Sequence, residues 1–97
     1  MRIICFGDVV GDIGVAALGK NINAVREKYS PDMIIVNGEN AGQNCGINAA
    51  NCEELFAMGA DVVTGGNHSF QNRDMTEFYE RDCGIIRPAN VHPNAPG

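Results

Sequence analysis

Two carboxylates, two carboxamides and one imidazole stand directly after short apolar runs in this chain. Asp8 follows Ile3 to Phe6, Glu39 and Asn40 follow Met33 to Val36, and Asn67 and His68 follow Val62 to Thr64. Each group adjoins a glycine (Gly7, Gly38 or Gly66), and a residue without Cβ lets backbone and ligand approach closely. Hard cations such as Mn²⁺, Mg²⁺ or Fe²⁺ take oxygen-rich sites, and a carboxylate can bridge two ions roughly 3.5–4 Å apart. Asp8 and Glu39 suit that work. Asparagine adds a neutral carbonyl oxygen that ligates while moderating negative charge, and His68 could bind metal or donate a proton. A plainer reading stands beside this one. Asp and Asn are common at strand ends because they make Asx turns, and His68 could be a hydrogen-bonded structural histidine.

The elements that would carry these groups follow from apolar spacing. Ile3 to Phe6 and Met33 to Val36 are continuous apolar runs and read as strands buried on both faces. Between Asp12 and Tyr29, the residues Val15, Leu18, Ile22, Val25 and Tyr29 step by three and four, which predicts a helix ended at Ser30-Pro31. A Gly- and Asn-rich loop then runs to Ile47. Asn48 is a plausible N-cap for a second helix with Cys52, Leu55 and Phe56 inward, and Gly59 is its left-handed stop. Val62 to Thr64 predict a third strand, Gln71 to Arg81 a third helix, and Ile85-Ile86 a fourth strand ended before Pro88; the tail from Val91 to Gly97 is irregular. The order βαβαβαβ implies an α/β fold with a parallel sheet, and such sheets bind ligands at the carboxyl ends of their strands. The whole of residues 1–97 is expected to form a single unit.

At 97 residues with 44% hydrophobic and 20% charged residues, the composition is that of an ordinary globular domain. The net charge is -5 and the seven Lys and Arg are scattered, so a long nucleic acid finds little to grip. If the substrate is a phosphate ester, bound divalent cations are the obvious source of positive charge. Cys5, Cys45, Cys52 and Cys83 form no C-x-x-C pair, and with His68 and His92 they give no zinc-finger spacing; each cysteine reads as a small buried hydrophobe. The apolar run before Gly7 is too short for a signal peptide or membrane span, giving the expectation of a cytoplasmic chain with reduced thiols. His92, in the proline-containing tail, reads as a surface residue.

Four motifs in register make the reading specific. Gly7-Asp8-Val9-Val10-Gly11, Asn37-Gly38-Glu39-Asn40, Gly66-Asn67-His68 and Arg87-Pro88-Ala89-Asn90 together resemble, in order and spacing, the YmdB-like family of the calcineurin-like metallophosphoesterases. The resemblance implies the N-terminal half of a four-layer αββα sandwich, with the C-terminal half and its metal-binding histidines absent. It implies two divalent metal ions (iron, manganese or magnesium), with Asp8 on the first, Glu39 bridging both, Asn40 completing the first site and Asn67 on the second. It also implies hydrolysis of phosphodiesters such as 2′,3′-cyclic nucleotides, with His68 protonating the departing oxygen. Members commonly continue the Asn-His step with Thr-Trp-Asp, where this chain has Ser69-Phe70-Gln71, so the pocket wall is expected to differ. Arg87 and Asn90 could contact phosphate or simply fix the loop after the fourth strand.

Two other functions compete. A dinucleotide-binding module is suggested by Gly7, Gly11 and Gly14, but the spacing is not G-x-G-x-x-G, and Asp8 would repel a pyrophosphate. No Walker lysine is present. A non-catalytic interaction or assembly module that keeps the fold without turnover is the stronger rival. Without a second sheet, the chain should expose an apolar sheet face and seek its missing half, self-associate or dissolve poorly.

Overall fold

The structure, a computed structural model, describes residues 1–44, 46–81 and 83–97. Its elements are β1 (Ile3–Phe6), α1 (Gly11–Tyr29), β2 (Met33–Asn37), α2 (Ala49–Ala57), β3 (Val62–Thr64), α3 (Asp74–Glu80) and β4 (Ile85–Ile86), the alternation the sequence predicts. The four strands form one sheet in chain order, and every neighbouring pair is parallel. Cys5 lies opposite Ile35, Ile35 opposite Val62, and Thr64 opposite Ile86.

Chain-order pairing has a steric consequence. Crossovers between parallel strands are almost always right-handed, so three that step in the same direction place all their helices on one side of the sheet. Side chains alternate across a strand, and burial alternates with them. Ile34, Val36, Val63 and Ile85 are buried beneath the helices, with Phe6 packed against them. Ile3, Cys5, Met33, Ile35, Val62 and Ile86 occupy the other face and are exposed or half-buried; Ile3 is 46% and Ile86 50% accessible. The reading of β1 and β2 as strands buried on both faces is therefore corrected, because no layer within these residues covers the second face. The expected open apolar face is present.

The helices end where local chemistry stops them. Ser30, before Pro31, takes a left-handed conformation (φ 44°) and returns its N–H to the Arg26 carbonyl at 2.8 Å. Asn48 caps α2 by accepting from the Asn51 N–H at 2.8 Å, and Gly59 ends it at φ 108°. α3 is shorter than the predicted span because Gln71 to Arg73 belong to the preceding turns, where the Gln71 N–H donates to the His68 carbonyl. Val15, Leu18 and Ile22 from α1, Cys52 and Leu55 from α2, and Met75, Phe78 and Tyr79 from α3 complete the core. No helix is long and apolar enough to cross a membrane among the described residues.

The cysteines divide. Cys52 is fully buried, as expected, whereas Cys5 and Cys83 are exposed and correct the common reading; Cys45 lies outside the described residues. Cys5 is exposed because it points to the open face of β1. Burial, then the nearby Cys83 and Glu53, push the Cys52 thiol from 9.0 up to about 12. A folded-state pKa raised above the unfolded value stabilises the fold below the unfolded pKa, and that stabilisation is lost as pH rises. We expect stability to fall between about pH 9 and 12, and a Cys52→Ala chain to show a shallower fall when urea midpoints are measured across that range. The one-sided core gives a second expectation. Leu55→Ala should lower unfolding free energy by about 3 kcal/mol, while Ile3→Ser, on the open face, should change it by less than about 0.5 kcal/mol in the same urea titration.

Candidate functional site

Because β1, β2 and β3 run parallel, their carboxyl ends meet one edge of the sheet, and the three motif loops leave from that edge. Backbone hydrogen bonds continue the pairing beyond the strands: Val9 N–H donates to Asn37 O (3.0 Å), Gly11 N–H to Asn40 O (2.9 Å) and Gly38 N–H to Thr64 O (3.1 Å). These bonds draw the loops together before any side chain contributes. Gly38 is there for space. A Cβ at that position would lie 2.8 Å from a Leu55 methyl and 2.9 Å from a Val63 methyl, so only hydrogen lets the loop turn over the core.

The structure brings the five predicted residues into two adjoining groups. In the first, Asn40 Nδ2 donates to Asp8 Oδ1 at 2.9 Å. In the second, Glu39 Oε1 accepts from the His68 backbone N–H at 3.3 Å and lies 2.8 Å from His68 Nδ1. Asn67 Nδ2 faces His68 Nε2 at 3.4 Å. The Glu39–Asn40 peptide joins the two groups. When His68 Nδ1 carries the proton towards Glu39, Nε2 is the acceptor that faces Asn67, so the carboxylate selects the tautomer. Glu39 is the more enclosed partner, its side chain 14% accessible against 32% for His68. Its other oxygen rests on the backbone of Gly66, where an added Cβ would lie 1.7 Å from Oε2. Any side chain at position 66 would displace the carboxylate.

One residue escaped the sequence reading. Ser69 is buried, its Oγ accepting from the Gly66 N–H at 2.9 Å and donating to the Gly66 carbonyl at 2.7 Å. These two bonds close the loop that carries Asn67 and His68. The available signal was a hydroxyl three residues after a strand-end glycine, a spacing that favours side-chain to backbone bonding. Tyr79 is buried with its ring stacked at a tilt on Phe70, 5.2 Å between centroids, and burial pushes its hydroxyl pKa upward. Arg87 donates to the carbonyls of Pro88, Ala95 and Pro96 and so fixes the tail. His92 and Asn90 are exposed.

The donor set fits hard cations by its chemistry. No three His, Cys, Asp or Glu side chains gather as a metal site among the described residues, so any ion held here draws on amide oxygens beside the acids. Asn40 turns its nitrogen to Asp8, and Asn67 turns its nitrogen to His68. Each carboxamide oxygen is then left for another partner. Oxygen donors of this kind suit magnesium, manganese or iron rather than a thiolate-seeking ion.

A parallel sheet in chain order with acids, amides and a carboxylate-bound histidine at one rim defines a class, the α/β folds that present their ligand-binding groups at the carboxyl ends of the strands. Residues 4–97 match the YmdB-like protein family, and the chain belongs to it. It is 35% identical over 97 residues to a 2′,3′-cyclic-nucleotide 2′-phosphodiesterase of Bacillus subtilis, covering all of this chain and 37% of that protein. It is 32% identical over 92 residues to a putative phosphatase/phosphodiesterase of Mycoplasma pneumoniae, covering 94% of this chain and 32% of that one. Among solved structures, a hypothetical protein from Thermus thermophilus superposes with a TM-score of 0.88 at 32% identity over 100% of this chain and 37% of that one. A phosphatase from Mycoplasma pneumoniae superposes with a TM-score of 0.87 at 31% identity over 95% of this chain and 33% of that chain. The chain thus spans about a third of the length of these relatives.

The loop closure by Ser69 is directly testable. Ser69→Ala should cost about 1–3 kcal/mol in urea denaturation, because it leaves the half-buried Gly66 N–H without its partner. Amide exchange at Gly66 should also accelerate more than at Val63; equal protection in both chains would remove Ser69 from this role.

Proposed function

We propose that this chain supplies one side of a two-cation phosphodiesterase centre that acts on small phosphodiesters such as 2′,3′-cyclic nucleotides. The observation that carries the reading is the adjacency of Asp8–Asn40 and Glu39–His68–Asn67 on one sheet edge. The relatives named as phosphodiesterases and phosphatases support the substrate class. In this reading Asp8 and Asn40 would hold a first cation and Asn67 a second, with Glu39 serving both. Bound divalent ions would supply Lewis acidity and neutralise charge on the phosphate oxygens.

The chain's own residues do the rest. Glu39 orients the His68 ring through Nδ1; with the ring protonated on both nitrogens, the Nε2 proton passes to the departing oxygen and leaves His68 as the neutral Nδ1–H form held by Glu39. Gly66 lets Glu39 sit close to the backbone, and Ser69 holds the loop so that His68 does not drift. The donors here are mainly oxygen, compatible with iron, manganese or magnesium. The remaining ligands and the far substrate wall belong to sequence outside these 97 residues. A non-catalytic assembly module is the second reading, favoured by the open face with Ile3 and Ile86 exposed.

Calorimetry with Mn²⁺ separates the two. The chain should bind Mn²⁺, and an Asp8→Ala, Glu39→Ala double variant should lose most of the heat; equal binding by both would end the metal reading. On bis-p-nitrophenyl phosphate with Mn²⁺, the 97-residue chain should show negligible turnover, and a robust rate would contradict the view that ligands from outside it are essential.

A further inference from the structure

Beside the strand-end site lies a separate cleft of about 260 Å³, lined by Asp12, Gln43, Asn44, Asn48, Asn51 and Asn72 together with Gly42. Neither acid of the strand-end site lines it, nor does Asn67 or His68. The two are tied through the backbone, where the Gly11 N–H next to Asp12 donates to the carbonyl of Asn40. The lining has one carboxylate and five carboxamides, with no lysine, arginine or histidine among the described lining residues.

The polarity of these groups is partly set. Asn48 Oδ1 accepts from the Asn51 N–H, Gln43 Nε2 donates to Asp12 Oδ2, and Asn72 Nδ2 donates to the Ile47 carbonyl. Two of the carboxamide nitrogens are therefore engaged within the protein, which leaves the Gln43 and Asn72 oxygens as the cleft's offering. Asn51 Oδ1 is buried without any hydrogen-bond partner. It sits by Gly42, whose Cβ, if present, would lie 3.4 Å from it. A buried acceptor without a donor is unfavourable, and a carboxamide that turns towards a donor in the cleft relieves it. With a carboxylate, an unpartnered buried carbonyl oxygen and no cation in its lining, the cleft repels a phosphate and offers acceptors to a neutral group rich in N–H.

We propose that this cleft is a nucleobase subsite that takes the amine-bearing edge of adenine, cytosine or guanine while the phosphodiester occupies the neighbouring strand-end site. The choice of a nucleotide rests on the proposed phosphodiesterase function. Asp12 and Asn51 accept the base's N–H groups, and Gln43 completes the edge contact. Paired acceptor and donor contacts to a base edge are the usual means by which carboxamides and carboxylates discriminate bases. Uracil is the poor fit, because its single edge N–H lies between two carbonyl acceptors that face the cleft's own acceptors.

The test uses phosphate-free nucleosides, so its result is independent of metal binding and turnover. The ¹⁵N-labelled chain is titrated with adenosine, cytidine, guanosine, uridine, ribose, inorganic phosphate and Ca²⁺, following side-chain amide signals of Asn51, Gln43 and Asn72. Amine-bearing nucleosides should shift these signals with at least fivefold higher affinity than uridine. Asp12→Asn and Gln43→Ala, both at exposed positions, should each weaken that binding about tenfold with unchanged urea midpoints. Equal shifts by ribose would make the cleft a sugar site, and shifts by Ca²⁺ alone a cation site; either result overturns the proposal, as does silence from all nucleosides. Mn²⁺ binding lost with nucleoside binding intact would instead sink the phosphodiesterase reading and leave the cleft standing.

Discussion

Four parallel strands laid side by side in chain order send every crossover to the same side, and the rest of the molecule follows from that handedness. One face of the sheet gains three helices and a core; the other receives none. The same parallelism gathers all the strand ends that carry chemistry on a single rim. Had β2 or β3 run antiparallel, Glu39 or His68 would have left from the opposite edge. The site and the uncovered face are thus two results of one topology, and neither can be changed without the other.

Within the rim, space matters as much as charge. Glu39 reaches His68 only because Gly66 has no side chain in its path, and Gly38 turns over Leu55 and Val63 only because it has none to collide with them. Ser69 then fixes the loop from beneath with two backbone bonds. The acid, the imidazole and the hydroxyl form a short relay of orientation in which each group limits the freedom of the next. Preorganisation of this kind is cheap for a loop on a rigid sheet and expensive for a free peptide.

Much of this was legible in the sequence. The step of Val15, Leu18 and Ile22 marked α1, Asn48 and Gly59 bracketed α2, and the strand-end positions of Asp8, Glu39 and His68 foretold that they would share an edge. The failures have physical causes. An apolar run such as Ile3 to Phe6 looks alike whether one or both faces are covered, because coverage depends on residues far away or outside the chain. The depth of Cys5 was misjudged for the same reason. Ser69 was invisible because a hydroxyl reads as polar filler until its partners are known, and those partners are backbone groups that carry no residue identity. The two adjoining groups at the rim could not be resolved either, since side-chain pairing such as Asn40 with Asp8 is set in three dimensions over 32 positions of separation.

The chain-order sheet also bears on how the polypeptide reaches this shape. Each strand after the first pairs with the one made just before it, so a growing chain emerging from the ribosome can add one β–α unit at a time. Each closure spans a single crossover, so its entropic cost recurs without growing along the chain. The vulnerable moment comes afterwards, when the row of Ile3, Met33, Ile35 and Val62 is complete but still wet. Synthesis of these residues therefore leaves an apolar sheet face in water, the kind of surface through which folding intermediates aggregate.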